Sequence, residues 1–313
     1  MTYFKITFRN AGFILSFLLL LASCKTFKSW DEARENFSKG AVVEMAVRNT
    51  ATEDPGNSAF ANLGDLFPHS GFNNGNLGRD PKVFYLQAYK DIQAALEKSS
   101  KLRQTQERGN ALAIKALAEW KIDSLNRARR TANLALEELL REPERDPRDE
   151  ALMEALPGLI AIDEAFESVQ AMIKPLKAKA DQGSNISADE GKSLIADAKA
   201  HYTQTIKGAD GSLFSALSTL ENAKQRGLQN KEILRYLVLS QLAGLNTWQE
   251  ELNAVDNSAK LLGVKQNDPN LADWIRKEWT AYRDVRKKHL DQLAELLPDG
   301  EENPGFIFWK KIL

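Results

Sequence analysis

The chain is almost without cysteine. Cys24 is the only one among 313 residues. That excludes an intramolecular disulfide framework and any zinc or iron–sulfur site built from several thiolates. Histidine is nearly as scarce. His69, His201 and His289 each lack a following Glu-x-x-His and a second histidine one helical turn away, so their spacing argues for structural or solvent roles over metal ligation. There is no excess of charge of either sign. Lysine plus arginine is 42, aspartate plus glutamate is 43, and the net charge is −1, which leaves no electrostatic footprint for nucleic acid. The hydrophobic share of 43% and the charged share of 27% are those of a globular chain and exclude wholesale disorder.

Catalytic signatures are missing too. There is no Gly-x-Ser-x-Gly, and no serine stands three residues before a lysine, so two serine-nucleophile patterns are absent. Gly191-Lys192-Ser193 has the tail of a phosphate loop, but Ile186 stands where the leading glycine belongs. The acidic pairs Glu137-Glu138, Glu250-Glu251 and Glu301-Glu302 fall where solvated helix faces or tails are expected. Residues 73–80 lack the alternating acids of a calcium loop. An enzyme would need a buried acid in a cleft, and Glu119 and Asp163 are the candidates for that role.

What is present begins at the N-terminus. Lys5 and Arg9 precede an apolar stretch over 11–22 that ends in Leu21-Ala22-Ser23-Cys24. The stretch is shorter than the roughly 20 apolar residues of a spanning helix. It resembles the bacterial lipoprotein signal. The resemblance implies cleavage after Ser23, a covalent lipid on Cys24 and a linker over 24–29. Several acyl chains, each CH₂ worth about 0.8 kcal/mol, then hold the body on a bilayer. Removing residues 1–23 takes two cations and no acid, and leaves 290 residues with a net charge of −3. Lys25 follows the cysteine in place of Asp, which by the same resemblance favours the outer membrane, and the basic Lys25-Thr26-Phe27-Lys28 favours a periplasm-facing body. No other cofactor is implied.

The remainder reads as all-α. Ser29, Ser187 and Thr247 open capping boxes. Asp80-Pro81, Asp146-Pro147 and Asp268-Pro269 put an acidic cap before proline at the first helical position, and Asn230 is a further cap. Gly227, Gly263 and Pro298 are stops. The apolar spacing predicts helices near 30–48, 81–107, 110–121, 124–141, 147–156, 158–182, 188–206, 212–226, 231–244, 248–262 and 269–297. Pro157-Gly158 is expected to break a helix, and Pro175 to kink one. A turn-rich loop near 50–80 is long enough to suggest a function. Residues 298–313 form an apolar tail.

A spacing of a small residue, an aromatic or apolar one four later and a small one three further on recurs at Ala33-Phe37-Gly40, Ala88-Ile92-Ala95, Ala128-Ala132-Ala135, Ala161-Ala165-Ser168 and Ala216-Leu220-Ala223. It resembles the second helix of a tetratricopeptide unit. Phe60-Leu63-Gly64-Phe67 resembles the first helix but sits in the turn-rich loop. The intervals of 55, 40, 33 and 55 residues depart from the regular ~34 of such repeats. Antiparallel helical hairpins over 30–297, in a degenerate tetratricopeptide-like solenoid or an irregular bundle, are therefore expected.

Trp120, Trp248, Trp274, Phe306, Phe308 and Trp309 are the residues expected to touch a partner or ligand. The tail's alternation suits strand addition to a partner, or docking on its own domain. The basic clusters Arg127-Arg129-Arg130 and Arg283-Arg286-Lys287-Lys288 read as helix surfaces. The leading expectation is a lipid-anchored, non-enzymatic adaptor that holds a protein or peptide. The alternative is a ligand-binding lipoprotein similar to the helical T-components of certain periplasmic transporters, whose small-molecule ligand the sequence does not name. That alternative needs a cleft lined by Trp120, Trp248 or Trp274. An envelope enzyme stands third.

Overall fold

The computed structural model describes residues 28–41, 43, 80–143, 146–182, 185–209 and 211–313. Cys24, the signal over 1–23, most of the linker, the loop over 50–79 and His69 lie outside the described residues. The fold is all-α, with no strand among the described residues. Nor is any described helix long and apolar enough to cross a membrane. One helical domain was expected over 30–297. The described residues instead form two compact units that divide between Asp149 and Glu150.

The first unit contains α1 (28–41), α2 (Pro81–Leu96), α3 (Ser99–Gln104), α4 (Arg108–Lys121) and α5 (Leu125–Leu139). Asp80 caps α2 by accepting from Lys82 N, ahead of Pro81. The expected helix over 81–107 is broken at Lys98 and again at Gln106, whose φ is +58°. Its polar run Glu97-Lys98-Ser99-Ser100-Lys101 offers the core nothing to hold, and Leu102, fully buried, restarts the packing as α3. Helices α4 and α5 form an antiparallel hairpin. Its ends are tied by an Arg108–Glu138 ion pair and by Gly109 N donating to Glu142 Oε1 at 3.0 Å. Ala128, Ala132 and Ala135 are all at 0% exposure. Side chains this short let the two helix backbones approach closely.

The second unit contains α6 (Pro147–Ala180, from Glu150 onward), α7 (Ala188–Lys207), α8 (Leu213–Arg226), α9 (Lys231–Leu261), α10 (Val264–Asn267), α11 (Pro269–Leu296), a 3₁₀ turn (Gly300–Glu302) and α12 (Pro304–Ile312). Ser187, Asn230, Asp268 and Asn303 cap their helices through the side-chain bonds their residue types favour. Helix α9 is the centre. Helices α7, α8 and α11 run antiparallel to it, and α6 runs parallel. Val169, Ile173, Ile195, Val255, Leu271 and Ile275 meet in one core drawn from α6, α7, α9 and α11.

Three boundaries differ from those the sequence predicts. Helix α6 runs unbroken through Pro157-Gly158 and Pro175. A Cβ on Gly158 would lie 2.5 Å from Leu220 Cδ1 and 3.0 Å from Ala216 O. The missing side chain admits α8, and burial on that face outweighs the lost hydrogen bond. Helix α9 runs through Thr247, which opens nothing. Its hydroxyl donates to Ala243 O at 3.3 Å, a bond back into its own helix. Ser29 likewise lies inside α1. The tail over 298–313 is not strand-like. Phe306, Trp309 and Leu313 are buried at helical spacing. Tyr282 OH and Gln249 Nε2 each donate to Leu313 O at 3.0 Å, so α12 docks on α9 and α11.

Gly158 and Gly191 give a paired check on this packing. Gly191 has open neighbours, the nearest atom to an added Cβ being Leu262 Cβ at 3.5 Å. Gly158→Ala is expected to cost about 1–3 kcal/mol by overpacking. Gly191→Ala is expected to be neutral, or to gain up to about 1 kcal/mol from helix propensity. Urea unfolding of both variants tests this, and equal effects would refute the close approach at Gly158.

Candidate functional site

Two chains of buried and half-buried polar groups in the second unit meet where α7 packs on α9. His201 and Tyr202 are neighbours on α7. Their side chains start two separate chains of hydrogen bonds, because adjacent helical residues point about 100° apart. Tyr202 starts the inner chain. Trp248 Nε1 donates to Tyr202 OH at 2.5 Å, Tyr202 OH donates to Glu278 Oε2 at 2.7 Å, and Lys207 Nζ donates to Glu278 Oε1 at 2.7 Å. Every member has a partner. Burial, and then the Glu278 carboxylate, push the Tyr202 phenol far above its ordinary range, so it stays a neutral donor. Trp248 also packs edge-on against Phe214 and Tyr282 at 4.9 and 5.4 Å, and Trp274 against Tyr202 at 5.2 Å. This chain holds the core together and leaves no donor free.

The outer chain runs through three helices. Ser168 Oγ on α6 lies 2.9 Å from His201 Nε2, and His201 Nδ1 lies 2.7 Å from Glu251 Oε1 on α9. Its inner end is sealed. Ser168 is half-buried, the His201 side chain is 27% exposed, and Glu251 is at 0%. The second carboxylate oxygen of Glu251 is buried with no hydrogen-bond partner. Burial pushes the Glu251 carboxyl up, and the His201 contact pulls it back. When Glu251 is ionised it only accepts, which puts the proton on Nδ1 and leaves Nε2 as an acceptor toward the serine hydroxyl. Elsewhere on α7 a shallow groove runs over Ala196, Ala200, Thr203 and Gly208, and none of Ser168, His201 and Glu251 lines it. No group of His, Cys, Asp or Glu among the described residues is arranged to hold a metal ion.

Comparison with protein families, with curated proteins and with solved structures finds no match. The site therefore has to be read from its own geometry.

The aromatic residues singled out from the sequence do not converge. Trp120 belongs to the first unit, where it is buried with Lys121 Nζ 4.6 Å from its ring centre. Trp248 is at 0% exposure inside the second unit and lines no cleft. Trp274 is half-buried, with Lys199 Nζ 4.9 Å from its ring centre. Phe306 and Trp309 are buried beneath α12, and Phe308 is half-buried beside Trp309. Of the two acids proposed for an enzyme site, Asp163 is exposed. Glu119 is buried, accepting from Thr131 Oγ1 at 2.6 Å, with Lys115 Nζ at 3.8 Å. Glu251, expected on a solvated face, is among the most deeply buried acids.

The third polar cluster surrounds His289 on α11. Its Nδ1 lies 3.1 Å from Gln292 Oε1, which also accepts from Lys224 Nζ at 2.9 Å. Burial, with the Lys224 and Lys288 charges adding to it, pushes the imidazole down to about 4, while the Gln292 contact opposes them. The folded state thus resists protonation that the unfolded chain accepts near pH 6.5. Between pH 6.5 and about 4 the unfolded state binds more protons, so stability is complete above that window and falls as the pH drops through it. The loss is on the order of 3 kcal/mol. Thermal unfolding at pH 7 and pH 5 should show a smaller acid penalty for His289→Gln than for the natural chain. Equal penalties would contradict the assignment.

Proposed function

We propose that this chain is a lipid-anchored protein of the cell envelope that holds a protein or peptide partner on its helical surface. The anchor rests on Leu21-Ala22-Ser23-Cys24, whose acyl chains would keep the body in the membrane plane. Outer-membrane, periplasm-facing placement rests on the residues after Cys24. The partner rests on one observation in the first unit. Helix α2 buries Phe84, Tyr85, Ala88, Ile92 and Ala95 on one face. On another it carries Val83 and Leu86 at 57% and 44% exposure, one turn apart. A lone exposed leucine is ordinary, whereas two large aliphatic groups one turn apart form the start of a contact patch. Apolar anchors at this spacing are what a helix-in-groove or helix-on-helix contact uses.

Binding of this kind needs no chemical step. The tetratricopeptide-like spacing supports it indirectly. Its small residues other than Ser168 are buried in both units, with Gly40 so close to α2 that a Cβ would sit 2.7 Å from Tyr85 Cε1. The transport reading is less well supported. It asks for tryptophans lining a cleft, and Trp248 is sealed among Tyr202, Phe214 and Tyr282.

Two variants test the proposal. Cys24→Ala is expected to remain in precursor form and to lose metabolic fatty-acid labelling; unchanged processing would refute the anchor. A photo-crosslinking residue at Leu86 is expected to capture one defined protein in the envelope, and Val83→Asp is expected to weaken that capture at least tenfold. Capture that is diffuse, or unaffected by Val83→Asp, would refute the contact patch.

A further inference from the structure

The outer chain at α7 goes beyond a binding role. From its geometry we infer that Ser168 is a nucleophile, with His201 as its general base and Glu251 as the acid that fixes the base, and that it acts on carboxylic esters. Three observations carry this. The distances of 2.9 Å and 2.7 Å place nucleophile, base and acid in hydrogen-bonded order, the arrangement by which a serine is activated on unrelated folds. The burial is ordered as such a relay needs, with Ser168 and His201 only partly buried and the carboxylate sealed at 0%. The third observation is the buried, unpartnered oxygen of Glu251. A buried polar atom left without a partner costs stability. In this role an ionised Glu251 gains a compensating charge when His201 takes the serine proton, and so stabilises the imidazolium that forms in the reaction.

Each step balances. Ser168 Oγ attacks the ester carbonyl as its proton passes to His201 Nε2. The ester C–O bond breaks, the imidazolium returns that proton to the leaving alkoxide, and an acyl-serine remains. Water then attacks the acyl-serine. Its proton passes to Nε2 and back to Ser168 Oγ, and the carboxylic acid is released. The substrate class follows from what the site lacks. Ser168 lies within α6, where its backbone N–H is used by the helix and offers no oxyanion donor. Without that stabilisation, worth about 10²–10³-fold elsewhere, the site suits esters with an easily expelled alcohol and not amides.

A fluorophosphonate probe tests the inference without knowledge of the natural substrate, because Oγ displaces fluoride from phosphorus by the same proton transfer. Peptide mapping of the folded chain is expected to find the label on Ser168 well before the exposed Ser193. Ser168→Ala should abolish the fast label. His201→Gln should slow it about 10²-fold, with Glu251→Gln showing a smaller loss, and p-nitrophenyl ester hydrolysis should fall in parallel. Equal labelling of Ser168 and Ser193, no label on Ser168, or an unchanged rate in a folded His201→Gln protein would overturn it. The Ser168–Ser193 comparison needs only the natural chain, so it decides the matter even where a variant fails to fold. The patch on α2 plays no part in this experiment, so the two proposals fail separately.

Discussion

A helix covered by neighbours over most of its surface has few places for a polar group except against one of them, and α9 is such a helix. Its buried residues run around the whole circumference from Tyr236 to Leu242, and beyond that they leave only one stripe, with Asn253 and Asn257, exposed. Among them are Gln241, Thr247, Glu251 and Asp256, each nearly or wholly sealed from water. Leaving these groups unmet would cost about 1–3 kcal/mol apiece, more for the charged ones. Thr247 bonds back into α9, and elements around α9 supply a partner to each of the other three. Helix α8 offers Leu217 O to Gln241 at 3.2 Å, α7 offers His201 to Glu251, and Lys265 and Trp279 reach Asp256 at 2.6 and 3.3 Å. Apolar packing pulls these helices onto α9, and the polar contacts fix which residue faces which. A slide of one turn along α9 would break several of these bonds at once, so the register of the second unit is set by charges and amides inside an oily shell.

This arrangement explains what the sequence could and could not convey. Capping at Asp80, Ser187, Asn230 and Asp268 is a local matter of one side chain and the next two or three amides, so these starts are readable directly. The breaks at Pro157-Gly158 and Thr247 are read wrongly for one shared reason. Both positions carry local stop or start signals, and in both the tertiary environment prevails, with α8 packed on Gly158 and the enclosing helices holding α9 straight through Thr247. Residues 97–101 show the reverse case. Apolar periodicity on both sides hides a polar stretch that nothing in the core rewards. The tail is a matter of period, since Phe306, Trp309 and Leu313 fit a helix better than the alternation first noticed.

The candidate site escaped the sequence because it has no local signature. Ser168, His201 and Glu251 lie 33 and 50 residues apart and come from three helices. Ser168 ends the repeat-like pattern Ala161-Ala165-Ser168 and reads as a packing residue. Glu251 follows Glu250 and reads as solvent-facing, yet one of the pair is sealed and the other is not. The only sequence signal was the scarcity of histidine, which gives each one a better than average claim to a role. The two proposals occupy different parts of the molecule. One uses aliphatic groups on α2 in the first unit, and the other uses a polar relay that the second unit needs in part for its own stability. Glu251 serves both demands there, since the same buried carboxyl that requires a partner is the one that holds the His201 ring in place.

The central claim is that α9 is the element around which the second unit is ordered. Native-state hydrogen exchange measures this directly, because protection reports the free energy needed to expose each amide. Amides between Leu237 and Val255 are expected to exchange only through global unfolding of the unit, with protection at or above that of α7, α8 and α11. Exchange of α9 amides through smaller openings than those of the helices around it would contradict the account.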